Sequence, residues 1–127
     1  MLSEFLPLLD AANARRREIA QRYVDTIKHS KVSLPSWAGA DYVAHLFVIR
    51  CSERNALRAH LRELDIAAEV HYPLPDHYQP VFKGTHAGVS LPVTEMLAGN
   101  ILTLPCYPEM TDEQVYSVAN GINAWAV

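Results

Sequence analysis

Residues 8–27, LLDAANARRREIAQRYVDTI, contain no Gly or Pro and set Leu8, Leu9, Ala12, Ile19, Tyr23 and Ile27 at mostly three- and four-residue spacing. That period predicts a long amphipathic helix, with Pro7 in its first turn, where a missing N–H costs little. Arg15, Arg16 and Arg17 then fall largely on the solvated face, and Glu18 and Arg22 are spaced for an i,i+4 ion pair. Residues 31–43, KVSLPSWAGADYV, are broken by Pro and Gly and read as an irregular connector. Residues 42–50, YVAHLFVIR, are apolar, aromatic and β-branched, the signature of a buried strand. Leu57, Leu61 and Leu64 share one face of a helix over residues 53–64, with Ser52 as its expected N-cap, and that helix should pack on the strand.

Residues 66–73, IAAEVHYP, predict a second strand, stopped by Pro73 because a proline cannot donate to a ladder and holds its predecessor extended. The glycines of FKGTHAGVS mark a loop. LPVTEMLAGN then predicts a short helix opened by Pro92 and closed near Gly99 and Asn100. NILTLPCYP reads as a third strand. In TDEQVYSVANGINAWAV, Thr111 and Gln114 have capping-box spacing, and Val115, Val118, Ala119, Ile122 and Trp125 form the apolar stripe of a last helix. Helices mixed with a few short strands make an α+β fold with a small sheet, and 127 residues suffice for a single domain, residues 1–127.

Composition narrows the partners. Half of the residues are apolar, a fifth are charged and the net charge is -3, the mix of a globular protein whose basic residues are not massed enough to argue for nucleic acid. Cys51 and Cys106 lie far apart without a metal-ligand pattern, so buried reduced thiols are expected. Glu4 stands where a secretory signal would carry positive charge, and no apolar run reaches the length of a membrane span, so a cytoplasmic location with no membrane partner is expected.

Candidate chemistry concentrates in VHYPLPDHYQP, residues 70–80. His71, Tyr72, His77 and Tyr78 offer imidazole and phenol groups on a loop stiffened by three prolines. Such groups bind sugar hydroxyls or phosphate. The alternative is that the tyrosines pack and the histidines cap backbone carbonyls. Glu69 stands next to His71 by strand alternation and is a weaker acid/base candidate. The spacing of His71 and His77, with Asp76 as the near carboxylate, fits no common metal site. A phosphate cradle, a nucleophile elbow and a zinc-protease motif are all lacking from the sequence.

The ordered set NARRREIAQRY, HLFVIR with RNALRAHLRELDI, VHYPLPDHYQPVF, and LPVTEMLAGNILTLPCYPEMTDEQV resembles the C-terminal small domain of the DegT/DnrJ/StrS-type sugar aminotransferases. The resemblance implies the small-domain architecture of the aspartate-aminotransferase fold, a mostly antiparallel sheet of about three strands packed against helices. It also implies a homodimer, pyridoxal phosphate as the family's cofactor, and transfer of an amino group, typically from glutamate, to a keto-sugar nucleotide for surface polysaccharides or antibiotics. The family's large domain carries the Schiff-base lysine, and Lys28, Lys31 and Lys83 match no such motif. The chain is therefore expected to be catalytically incomplete, to bind no cofactor alone, and to need a large cofactor-binding domain or subunit. His71, Tyr72 and His77 match the family's HYP.P.H.QP loop and would contact substrate; Tyr78 matches weakly. The alternative is a stand-alone binding or oligomerisation module derived from that domain.

Overall fold

The computed structural model describes residues 2–36, 41–86 and 88–126; part of the expected connector, residues 37–40, lies outside them. Helix α1 spans Leu2–Thr26, strand β1 Phe47–Arg50 and helix α2 Arg54–Glu63. Two 3-10 turns, Asp76–Tyr78 and Pro80–Phe82, lead to helix α3, Pro92–Asn100. Strand β2, Ile101–Leu104, and helix α4, Asp112–Asn123, complete the order.

The strands pair antiparallel, Phe47 opposite Leu104 and Arg50 opposite Ile101. Single bridges widen this ribbon on both sides, Ser33 to Arg50 and Glu69 to Thr103. The second expected strand, residues 66–73, is therefore reduced to one bridge at Glu69, because the prolines at 73 and 75 turn the chain away from the sheet. β1 is also shorter than predicted. Buried Ala44 takes a positive φ of 53°, which interrupts extended geometry before Phe47.

One face of the ribbon and the stripes of α1, α2 and α4 make the core, in which Ile19, Tyr23, Phe47, Leu57, Leu61, Leu102 and Ile122 are fully enclosed. The Tyr23 ring lies 5.1 Å from that of Phe47, and its hydroxyl donates to the Pro105 carbonyl at 2.7 Å, so the buried phenol keeps a partner. Thr111 and Gln114 form the expected capping box, and the whole predicted stripe of α4 is buried. α2 starts one residue later than predicted, with Glu53 rather than Ser52 at its N-cap and no side-chain cap bond. Both cysteines are buried and free.

α1 departs from expectation at the N-terminal end of its stripe. It continues through Pro7 to Leu2, but Leu8 and Leu9 are exposed, because residues before Ala12 extend past the body that the helix packs on. The arginine face is less solvated than its pattern suggests. Glu18 pairs with Arg15 at 2.7 Å, while Arg15 and Arg22 both reach Asp112 at 2.7 Å, at the start of α4. A carboxylate at a helix N-terminus suits the positive end of the dipole and draws the guanidiniums across, which the i,i+4 rule for an isolated helix does not anticipate. Those guanidiniums hold the Asp112 carboxyl below its ordinary range. Among the described residues, no helix is long and apolar enough to cross a membrane.

Candidate functional site

The chain leaves the sheet at Glu69 and enters the loop that carries His71, Tyr72 and His77. Two polar contacts define its course. His71 Nδ1 lies 3.0 Å from the hydroxyl of Thr103, a buried residue of β2, which ties the start of the loop to the sheet. Eighteen residues separate the second pair: His77 Nε2 lies 3.1 Å from Glu95 Oε1, on the first turn of α3. The same carboxylate oxygen accepts the Leu91 N–H at 2.7 Å, satisfying a donor that the helix start leaves open. These bonds, the Leu91 amide first and the His77 ring second, hold the Glu95 carboxyl below its ordinary value.

Between the loop and α3 lies a cleft of about 650 Å³. Tyr72, Leu74, Pro75, Asp76, His77 and Phe82 form the loop wall, and Leu91, Thr94, Leu97 and Ala98 the helix wall. Tyr72 is 69% exposed and presents its ring, whereas His77 is only 9% exposed and sits in the wall. Its imidazole is 4.2 Å from the Tyr78 ring, and the Tyr78 phenol is raised above its ordinary range by the neighbouring Glu95 carboxylate. His71 stands behind Tyr72, ring edge toward ring at 5.4 Å. A second groove of about 600 Å³ lies beyond His77, lined by Tyr78, Lys83, His86 and Val89 among others. The cleft is therefore aromatic and apolar with a few polar groups, the usual make-up of a small-molecule site.

Glu69 does not join this group. Its carboxylate pairs with Arg58 of α2, away from the His71 ring. Glu95 and Thr103, which position the two histidines, went unremarked in the sequence. The one available hint was an acidic residue in the first turn of a proline-opened helix. Among the described residues, no cluster of three or more His, Cys, Asp or Glu side chains is placed to hold a metal ion.

A model of the DegT/DnrJ/EryC1/StrS aminotransferase family matches residues 1–123. The dTDP-3-amino-3,6-dideoxy-alpha-D-galactopyranose transaminase of Aneurinibacillus thermoaerophilus is 36% identical over 126 residues, covering 98% of this chain and 34% of that protein. The UDP-N-acetyl-3-dehydro-alpha-D-glucosamine 3-aminotransferase of Acidithiobacillus ferrooxidans is 36% identical over 117 residues, 91% of this chain and 31% of that protein. Among solved structures, S. venezuelae DesV in complex with a ketimine intermediate matches with a TM-score of 0.91 at 34% identity, over 98% of this chain and 34% of that one. The ntda protein of Bacillus subtilis with bound cofactor PMP matches with a TM-score of 0.78 at 28% identity, over 88% and 28%. The chain thus spans about a third of the length of the curated relatives it matches.

Proposed function

We propose that this chain, which belongs to the DegT/DnrJ/EryC1/StrS aminotransferase family, is the small domain of a sugar-nucleotide aminotransferase and closes its active site over a keto-sugar nucleotide. The observation that carries the reading is the open aromatic cleft between the His-Tyr loop and α3. Tyr72 supplies an exposed ring for contact, His77 a fixed imidazole in the wall, and His71 the brace that orients Tyr72. Their role is to bind and orient, which lowers the barrier by holding the reacting group in place.

Pyridoxal phosphate supplies the amino-transfer chemistry in the complete enzyme, but the residues of this chain do not fit it. All three lysines are exposed. Lys28 Nζ donates to the Val24 carbonyl at 3.2 Å, Lys31 pairs with Glu53, and Lys83 lies in the second groove with no ion-pair partner among the described residues. An imine-forming lysine is typically desolvated in an apolar pocket, unlike these three exposed side chains. A partner domain would therefore bring the cofactor, and the exposed apolar side chains Val81, Val93 and Met96 are surface that it would cover.

The test is amino transfer from glutamate to a dTDP-keto-sugar, with the chain alone and after addition of the large cofactor domain of a relative. Turnover only in the mixture supports the reading; turnover by the chain alone overturns it. A backbone NMR titration of the chain with dTDP-glucose should move Tyr72, His77 and Phe82, and shifts confined to the Arg58 and Arg62 face would refute the cleft. The same exposed apolar side chains also favour a second reading, a module that self-associates. Sedimentation as a monomer at all concentrations would remove that reading.

A further inference from the structure

The two walls of the cleft are joined by one carboxylate. No residue of α3 is fully buried; its C-terminal end is tied to the body by the Cys51 N–H to Asn100 carbonyl bond at 2.8 Å, whereas its N-terminal end follows a loop whose described hydrogen bonds, such as His86 N–H to the Phe82 carbonyl at 2.9 Å, are local. Gly88 there has a φ of +83°, a left-handed backbone state that glycine adopts without steric cost. The cleft's width should then depend on what links His77 to the start of α3. Glu95 Oε1 does so, 2.7 Å from the Leu91 nitrogen and 3.1 Å from His77 Nε2.

We propose that Glu95 is a positioning residue that clasps the His-Tyr loop to the N-terminus of α3 and sets the hydrogen-bonding state of His77. An ionised carboxylate only accepts, so a hydrogen bond at His77 Nε2 requires the proton on that nitrogen. A ring protonated at Nε2 alone keeps its lone pair on Nδ1, and would then offer a ligand an acceptor suited to a hydroxyl donor. This last consequence rests on the proposed function; the clasp itself does not.

The experiment is proton NMR of the imidazole N–H groups, with hydrogen exchange at Leu91, in the 127-residue chain and in Glu95→Ala and Glu95→Gln. In the wild type, His77 Nε2–H should give a signal sheltered from exchange with water. It should vanish in Glu95→Ala, with Leu91 exchanging about tenfold faster, the effect of losing one hydrogen bond. Glu95→Gln keeps an oxygen acceptor in the same place and should restore both. The ring contacts of His29 with the Trp125 carbonyl and His60 with the Gly121 carbonyl are remote and should be unchanged, which reports that the variant is folded. A wild type without a sheltered His77 signal overturns the clasp, as does an Ala variant that retains that signal and Leu91 protection. An intact clasp in a chain that ignores dTDP-glucose would sink the proposed function and leave the clasp standing.

Discussion

The sheet, α2, α4 and the second half of α1 supply the fully enclosed apolar core, whereas no apolar side chain of the His-Tyr loop or α3 is fully buried. Tyr23 and Tyr72 make the contrast concrete: one ring is fully buried and hydrogen-bonded, the other stands 69% exposed over a cleft. The first region gets its stability from burial, so it folds around itself. The second is shaped by a few directional contacts, His71 to Thr103 and Glu95 to His77 and Leu91, and keeps its surface available for another molecule.

The largest expected effect tests this division directly. Tyr23→Ala should cost about 3–5 kcal/mol by leaving a cavity against Phe47, whereas Tyr72→Ala should stay within about 0.5 kcal/mol, both read from urea unfolding. A comparable loss from Tyr72→Ala would mean that the loop belongs to the core after all. Within the packed region, Thr111→Ala removes the capping-box acceptor of α4 and should cost about 1 kcal/mol in the same assay.

The Asp112 link between α1 and α4 should appear as acid sensitivity. Its folded carboxyl titrates below its ordinary 3.8, so its contribution is present above that value and is lost as pH falls through the lowered one. Asp112→Asn should flatten the acid side of a plot of Tm against pH and leave the alkaline side unchanged. An unaltered acid slope would show that the two arginines gain nothing from the pairing.

The smallest perturbation is chemical labelling. Burial pushes the Cys106 thiol up to about 11 and raises Cys51 as well, so neither is a reactive thiolate near neutral pH. A thiol reagent should modify both only as fast as the packed region opens. Rapid labelling of the native chain would place a cysteine outside the packed core instead.

Much of the packed region was legible because it repeats. The stripe of α4, the leucines 57 and 61 of α2 and the apolar β1 residues follow periods of 3.6 or 2, and Thr111 with Gln114 marks a helix start within four residues. The loop was legible as chemistry, from its histidines, tyrosines and prolines, but not as geometry. Nothing local says that His77 turns into the wall while Tyr72 turns outward, or that Glu69 pairs with Arg58 rather than serving His71.

The sequence by itself determined the helices, two of the three expected strands, the capping box and the place where candidate chemistry gathers, because each is encoded by neighbours a few residues apart. Tertiary structure alone decided the partners of Glu95, Thr103 and Asp112, and with them the shape of the cleft. Those contacts join groups 18, 32 and up to 97 residues apart. Their formation depends on where the packed elements carry the chain, and no local period records that.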